Sequence, residues 1–408
     1  MLKHNLQLPL TETIAPADEA AVAEAVRQAY GDATAVYPLG GGTMLDYGAR
    51  PERPGIGLSL SALSRVVDYP ADDMTITVEA GMTIAALAGC LAGKRHRLPV
   101  DVPQGDRATI GGVLATNPSG PRRYACGAIR DYVLGLRAVD GRGVTFSGGG
   151  RVVKNAAGYN ICRLLVGSFG TLAVITQVTL MVRPLPETSA LVCCDLVNLE
   201  TAERLLAALV HSQTLPAAVE LLLGPAWQDS PALGGLPQTH AARLVVGFEG
   251  PAAEVEWMVG QLGAEWRQLG ITAPGTITAA EAGPLWDALT EFPADVQISV
   301  SPGKAIGLIG SLLQVDPAAS VQAHAGDGAI RLRLTPMSPD RFAAVVRAQL
   351  RPAVTAVGGN MVVVACPDGA ELTRADVWGP AGNGAAVMRA IKERFDPKGI
   401  LNPNRFVY

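Results

Sequence analysis

The sequence predicts an α+β protein of two or three domains, and three observations support this class. The chain has 408 residues, whereas a domain usually has about 100–200. Glycine-rich segments, separated by strand and helix patterns, fill the region before residue 187. From that residue onward, β-like runs alternate with helical runs and show few signs of a parallel sheet, which indicates an α+β domain.

The first predicted element is a helix within APADEAAVAEAVRQAYG. Pro16 suits an early helical position, acidic residues follow in the first turn, and Gly31 comes after the expected end. Four apolar residues recur at helical spacing and should form the buried face: Val22, Ala25, Val26 and Ala29. A short strand, TAVYPLGG, then leads into a run of three glycines.

Later elements follow from the same patterns. GIGLSLSALSRVVDY and DMTITVEAGMTI contain strands, and TIAALAGCLAGKRHRLP is a short helix. TLAVITQVTLMVRPLPE is the clearest long strand and ends at its prolines. Beyond it we expect strands in ALVCCDLVNL, RLVVGFEG, AIRLRLTP and GNMVVVAC, separated by helices. A last helix, AAVMRAIKERF, precedes a proline-containing extended tail.

Composition excludes several classes of function. The net charge of −4 and the pI near 5.8 disfavour nucleic acid as the main partner, because phosphate binding needs a basic face. None of the six cysteines has CxxC spacing, which argues against an iron–sulfur or zinc site and favours buried, reduced thiols. The N-terminus lacks the apolar stretch of a signal peptide, and we expect no transmembrane segment.

The stretch YPLGGGTMLDYG allows two interpretations. Consecutive glycines tolerate positive φ angles and can bring backbone N–H groups together, which would make a cradle for phosphate oxygens. The same residues can simply form a turn at a strand end. The stretch is neither a GxGxxG dinucleotide fingerprint nor a P-loop, because no acidic residue follows at the required distance and no GK[ST] follows.

Two more glycine-rich segments make the cradle the preferred interpretation. ATIGGVLATNPSG surrounds its glycines with small residues, so a flat ligand could approach the backbone. VVKNAAGYN and GSFGTLAVIT place further glycines before a hydrophobic strand. Together the three segments predict a large, flat, phosphorylated ligand.

These segments carry a resemblance to a known family. PLGGGT, DVPQGDRATIGGVLATNPSGPRRYACGAIRDYVLG and GGRVVKNAAGYNICRLLVGSFGTLAVIT resemble the FAD-binding domain of the vanillyl-alcohol oxidase family, and FDPKGILNPNRF resembles its C-terminal return segment. The resemblance implies a PCMH-type FAD-binding domain of two subdomains, a ferredoxin-like α+β cap domain, and a tail that packs back on the FAD domain. The expected boundaries are 1–186, 187–385 and 386–408.

The resemblance also implies which residues contact FAD. The pyrophosphate would lie against Pro38, Leu39, Gly40, Gly41, Gly42, Thr43 and Met44. The ribityl chain and ring would lie near Thr109, Ile110, Gly111, Gly112, Thr116, Ser119 and Gly120, and the adenine near Ile175. Covalent members use a His or Cys in the first loop, where this chain has glycine and threonine, so FAD should bind non-covalently.

The candidate catalytic residues are His324, Arg331 and Arg333. The hydroxy acid dehydrogenases of the family have two metal-binding histidines seven residues apart, and here AHAGDGAIRLRL has His324 and then Arg331. An arginine cannot bind a metal, so we expect no metal site. Arg331 and Arg333 share one strand face. Either they bind a carboxylate, or they form a basic patch on the surface or toward a partner. Lys154 either stabilises its loop or places a charge near the flavin.

Within the family, the chain is most similar to the FAD-binding E subunits of bacterial glycolate oxidases. That resemblance implies two partners: a homologous FAD subunit that oxidises the 2-hydroxy acid, and an iron–sulfur subunit that takes the electrons. Two alternatives remain open, an autonomous FAD oxidase of 2-hydroxy acids or alcohols, and a non-catalytic assembly subunit with a vestigial flavin site. We expect a cytoplasmic protein that meets the inner face of a membrane only through its partners.

Overall fold

The computed structural model describes residues 7–150, 160–233, 241–271, 274–277 and 279–408. Its strands are β1 (Leu10–Ile14), β2 (Ala35–Leu39), β3 (Gly55–Ser59), β4 (Val66–Asp68), β5 (Thr75–Glu79), β6 (His96–Arg97), β7 (Val133–Asp140), β8 (Thr145–Gly149), β9 (Ala173–Met181), β10 (Arg183–Pro184), β11 (Thr188–Leu196), β12 (Ala218–Leu223), β13 (Ala242–Gly250), β14 (Gly275–Ile277), β15 (Val296–Ser299), β16 (Ser320–His324), β17 (Ala329–Arg333) and β18 (Asn360–Val363).

The α-helices are α1 (Glu19–Asp32), α2 (Ile84–Ala92), α3 (Ile110–Thr116), α4 (Arg123–Cys126), α5 (Ile161–Leu165), α6 (Leu199–Leu209), α7 (Pro225–Gln228), α8 (Ala252–Gln268), α9 (Ala279–Glu291), α10 (Pro302–Val315), α11 (Pro339–Val345), α12 (Arg351–Ala356), α13 (Arg374–Trp378) and α14 (Ala385–Phe395). One π-helical turn, Val346–Leu350, joins α11 to α12. None of the helices in the described ranges is long and apolar enough to span a membrane.

Two sheets form the N-terminal part of the chain. The first is parallel, with strand order β1-β3-β2, and the second is antiparallel, with order β4-β5-β9-β7-β8. The predicted first helix is confirmed as α1, which begins where the Asp18 side chain accepts a hydrogen bond from the Ala21 N–H at 2.8 Å. Its predicted end before Gly31 is wrong, because the helix continues to Asp32. Its buried face includes Val22, Val26 and Ala29, while Ala25 is only half-buried.

The eight-stranded antiparallel sheet that follows has the order β14-β11-β13-β12-β16-β17-β15-β18. Its first half runs β11-α6-β12-β13-α8-β14 along the chain and its second half β15-α10-β16-β17-α11/α12-β18. Each half therefore has the split β-α-β arrangement of a ferredoxin-like unit. The two units join edge to edge where β12 pairs with β16. The predicted α+β cap fold is thus present in two copies.

Helices cover both faces of this sheet. The large core lies against α6, α8, α10 and α11, and a smaller core lies against α7 and α9. Cys193 and Cys194 are adjacent on β11, so their side chains lie on opposite faces of this sheet. Both are buried, one in each core, and all six cysteines are free thiols.

The tail after α14 returns to the first sheet, as the resemblance implied. The Val36 N–H donates to the Ile400 carbonyl and the Asn402 N–H to the Val36 carbonyl, both at 2.8 Å, which adds one parallel bridge to β2. Lys392 Nζ donates to the Thr171 carbonyl at 2.6 Å. The boundaries at residues 186/187 and 385/386 stay predictions.

A half-buried arginine, Arg122, connects the N-terminal part to the eight-stranded sheet. Arg122 Nε lies 2.8 Å from Glu249 Oε1 on β13, and its guanidinium also pairs with Asp101. The guanidinium carbon stacks 4.1 Å from the ring centroid of Trp286 on α9. These contacts join the two parts of the chain directly.

Candidate functional site

A deep cleft separates the two N-terminal sheets, with an empty volume of about 1040 Å³ that includes the solvent at its mouth. The glycine loop after β2, helix α3 and the start of β9 form its walls. All but three of the predicted cofactor residues line it: Pro38, Leu39, Gly40, Gly41, Gly42, Thr43, Met44, Thr109, Gly111, Gly112, Thr116 and Ile175. The structure thus brings together segments that are more than a hundred residues apart.

Three predicted residues lie elsewhere. Ile110 is fully buried in the core, and its N–H donates to the Met82 carbonyl at 2.9 Å. Gly120 packs so closely on Asp101 that a Cβ there would lie 2.4 Å from the Asp101 Cβ. Ser119 lines a second cavity rather than the cleft. The cofactor role of all fifteen residues stays a prediction.

The glycine loop has the geometry of an anion cradle. A Cβ on Gly41 would lie 1.7 Å from the Arg107 carbonyl oxygen, so no larger residue fits, and Gly42 has a φ of +67°. Within the part of the chain that the structure describes, the backbone N–H groups of residues 40–44 donate no hydrogen bond to another protein group. Donors of this kind in a glycine-rich loop suit phosphate oxygens.

Two arginines place positive charge beside this loop. Arg405, which is buried and lines the cleft, donates to the carbonyls of Leu45 and Tyr47 at 2.6 Å and of Ala49 at 3.2 Å. It pairs with no carboxylate among the described residues. Burial lowers the pKa of Arg405 to about 10, so it stays charged at neutral pH. Arg107 Nη2 donates to the Gly41 carbonyl at 3.1 Å.

These features fit the diphosphate of FAD, because unpartnered amides and two cations surround one glycine loop. Sequence reasoning missed both arginines. The signal for Arg405 was its place in the returning segment NPNRF, and the signal for Arg107 was its place beside the second glycine segment.

Helix α3 forms a wall of the cleft, but the N–H groups of Gly111 and Gly112 are already bonded within the protein. The Gly111 N–H donates to the Ala80 carbonyl at 2.8 Å, and the Thr109 hydroxyl accepts from the Gly112 N–H at 3.4 Å. A Cβ on Gly111 would lie 2.8 Å from the Ala80 Cβ. Gly111 is therefore required by contact with the protein itself, and its N–H is already bonded.

The second cavity, which we call the chamber, continues from the cleft. Its empty volume is about 700 Å³ with solvent included, and it shares Thr43, Met44, Pro103 and Pro118 with the cleft. Its other walls come from residues 291–294 at the C-terminal end of α9 and from the eight-stranded sheet. The chamber therefore lies where the N-terminal part meets that sheet.

The three candidate catalytic residues have different surroundings. Arg331 is buried and lines the chamber. His324 is buried behind it, with Nδ1 2.6 Å from Glu220 Oε1. Arg333 shares the strand face of Arg331 but is exposed and lines neither cavity, because α9 covers Arg331 and not the end of β17. Only one of the two arginines is thus placed to meet a ligand.

A buried polar chain connects these residues. Gln322 Nε2 donates to Glu220 Oε2 at 2.8 Å, and Arg331 Nη1 lies 3.4 Å from Gln322 Oε1. Burial raises the pKa of Glu220, against the opposing effect of His324. In the described ranges no group of three or more His, Cys, Asp and Glu side chains is arranged to hold a metal ion. Lys154 lies outside the described residues.

Comparison with protein families identifies two matches along the chain. The family described as FAD binding domain matches residues 11–149. The C-terminal domain of FAD linked oxidases matches residues 185–306 and 379–406. Alkyldihydroxyacetonephosphate synthase has a similar structure, with a TM-score of 0.70 at 16% identity over 97% of this chain and 77% of that one. This likeness shows the fold, a PCMH-type FAD-binding fold with mixed α/β content, and FAD is the cofactor.

Three curated relatives are informative. Glycolate oxidase subunit GlcD of Bacillus subtilis is 27% identical over 91% of this chain and 83% of that protein. D-lactate dehydrogenase of Archaeoglobus fulgidus is 29% identical over 91% of this chain and 86% of that protein. Glycolate oxidase subunit GlcE of Escherichia coli is 36% identical, but over only 41% of this chain and 48% of that protein. The specific assignment to the E subunits is therefore not supported.

Proposed function

We propose that this chain, which matches the FAD binding domain and the C-terminal domain of FAD linked oxidases, oxidises a small 2-hydroxy acid to the 2-oxo acid with non-covalently bound FAD. One observation carries the proposal: the cleft that suits FAD opens directly into a chamber lined by a buried arginine. Relatives that match over most of their length include D-lactate dehydrogenase and D-2-hydroxyglutarate dehydrogenase, which supports this class of substrate.

The chain's own residues would bind and orient the reactants. The amides of residues 40–44, with Arg405 and Arg107, would hold the diphosphate. When bound, FAD accepts the two electrons and two protons that leave as the alcohol carbon becomes a carbonyl carbon. Apolar side chains of the chamber, including Pro103, Pro118 and Phe292, would limit water around the substrate.

Turnover by the purified, FAD-loaded chain tests this proposal. We expect glycolate, D-lactate or D-2-hydroxyglutarate to reduce an artificial dye acceptor in the presence of the protein. Simple alcohols and 3-hydroxy acids serve as controls, because their hydroxyl is not adjacent to a carboxylate. Equal turnover of ethanol and the 2-hydroxy acids would contradict the proposed substrate class, and no turnover of any 2-hydroxy acid would contradict oxidation by this chain alone.

A second function is favoured by the match to GlcE. In this alternative the chain is a flavin subunit of a multisubunit glycolate oxidase, where it relays electrons or supports assembly beside a homologous FAD subunit and an iron–sulfur subunit. The sequence has no CxxC pair of its own to hold a cluster, which is consistent with such a partner. Copurification from the native host, with iron and flavin counted per chain, tests it. Recovery of the chain with flavin but without iron or a second flavoprotein would argue against it.

A further inference from the structure

Toward the described residues, Arg331 donates hydrogen bonds through only one of its three guanidinium nitrogens. Nη1 donates to the carbonyls of Leu289 at 3.3 Å and Thr290 at 3.4 Å, and it lies 3.4 Å from Gln322 Oε1. Nε is buried and has no hydrogen-bond partner, and Nη2 donates to no other residue in the described ranges. The Nε–Nη2 edge is the fork that binds a carboxylate with two parallel hydrogen bonds.

The positive charge of Arg331 also has no carboxylate beside it in the described part of the chain. Arg331 is 8% exposed, and no carboxylate of the described residues lies within salt-bridge distance of it. The nearest acid in its hydrogen-bonded chain is Glu220, which lies beyond Gln322 and already pairs with His324. Burying an unpaired guanidinium is strongly unfavourable. An anion supplied by a ligand would offset that cost.

The position of Arg331 specifies where such an anion would lie. Among the described residues that line the chamber, Arg331 is the one basic side chain. Its neighbour across the β15–β17 pairing, Gln297, lines the same chamber and offers an amide to a hydroxyl group. A carboxylate and an adjacent hydroxyl could therefore be held together, next to the end of the cleft that Thr43 and Met44 form.

We propose that Arg331 binds the carboxylate of the substrate through its Nε–Nη2 edge, in the chamber that adjoins the flavin cleft. This inference rests on the proposed function for the identity of the substrate. Gln322 is a positioning residue, because it accepts from Nη1 and in turn donates to Glu220. The contacts of Nη1 with the carbonyls of Leu289 and Thr290 anchor the guanidinium on α9 and leave its Nε–Nη2 edge for the carboxylate.

The test uses oxalate, a carboxylate that carries no oxidisable alcohol, titrated into the FAD-loaded protein while the flavin spectrum and heat of binding are followed. We expect Arg331→Gln to weaken oxalate binding about 30-fold, because the substitution removes a charge-assisted pair of hydrogen bonds. Arg331→Lys should weaken it roughly fivefold, because an ammonium keeps the charge without the fork. FAD content and Tm of each variant are measured alongside.

Arg243→Gln is the matched control. Arg243 is also buried, lies on the same sheet face and pairs with Asp195, but it lines neither cavity. The Arg243→Gln substitution should lower Tm and leave the affinity for oxalate unchanged. Oxalate affinity that is equal in wild type and Arg331→Gln, at full FAD content, would overturn the inference. Arg331-dependent oxalate binding with a flavin that no 2-hydroxy acid reduces would support the carboxylate site and contradict the proposed function.

Discussion

Gly41 and Arg107 hold the first glycine loop in direct contact with the second glycine segment. The Arg107 guanidinium donates to the Gly41 carbonyl at 3.1 Å, and the Arg107 carbonyl occupies the space that a Gly41 side chain would need. The glycine therefore serves two purposes, since its small size allows the two segments to touch and this contact leaves the neighbouring amides directed at the cleft.

Gly41→Ala should separate the two segments and weaken FAD binding. A Cβ at 1.7 Å from a carbonyl oxygen requires a backbone shift, which should cost about 2–3 kcal/mol of stability. Gly31→Ala is the control, because it adds the same methyl group to α1 with no heavy atom within 4 Å and should stabilise by about 0.5–1 kcal/mol. Urea unfolding and FAD titration check both variants. Unchanged FAD affinity in Gly41→Ala would contradict the cradle.

Arg405→Met should destabilise the protein and release FAD. The substitution leaves the carbonyls of Leu45, Tyr47 and Ala49 without this donor and removes a charge from the cleft, at an expected cost of about 2–4 kcal/mol. Arg374→Met removes an exposed arginine that bonds to the same tail at Asn404 and should change stability by less than about 0.5 kcal/mol. Equal unfolding midpoints for the two variants would show that Arg405 does not anchor the loop.

FAD should leave the protein completely on denaturation. Gly42 and Thr43 stand where covalent relatives have a His or Cys, and no cysteine, histidine or tyrosine of the described chain lines the cleft. Acid precipitation should therefore leave all the yellow colour in the supernatant, with a spectrum that matches free FAD. Flavin fluorescence that stays with the denatured chain on a gel would show a covalent bond.

Asp295→Asn should stabilise the protein at neutral pH more than at low pH. Burial raises the pKa of Asp295 to about 6, against the opposing hydrogen bond from the Leu334 N–H and the charge of Arg333. An unfolded aspartate has a pKa of about 3.9, so the folded state holds an extra proton between pH 4 and 6 and its stability falls as the pH rises through that window.

The difference in unfolding free energy between Asp295→Asn and wild type should therefore grow from pH 4 to pH 7, by on the order of 2 kcal/mol. Asp368→Asn, at an exposed position, controls for the loss of one carboxyl charge. A difference that stays constant over this pH range would contradict an elevated pKa of Asp295 in the folded state.

The sequence predicted the features that depend on local patterns. The glycine segments, the helix capped by Asp18 and the long strand β9 were all foreseen, because turn residues and hydrophobic periodicity act over a few neighbours. Arg405 was missed although the return of the tail was expected, because no local pattern shows which residue of the tail contacts the glycine loop.

The difference between Arg331 and Arg333 has a similar cause. Both occupy one strand face, and only the packing of α9 on that strand buries one and leaves the other exposed. The duplication of the ferredoxin-like unit was missed because the two units share their topology but show no repeat of sequence.

Anaerobic reduction of the isolated, FAD-loaded chain shows whether this chain itself oxidises a 2-hydroxy acid. A 2-hydroxy acid is added to a stoichiometric amount of protein with no acceptor and no other subunit, and the flavin absorbance near 450 nm is followed while the product is identified. We expect complete bleaching and one 2-oxo acid formed per FAD. A folded, FAD-loaded chain whose flavin stays oxidised in the presence of every 2-hydroxy acid tried would contradict the proposed function.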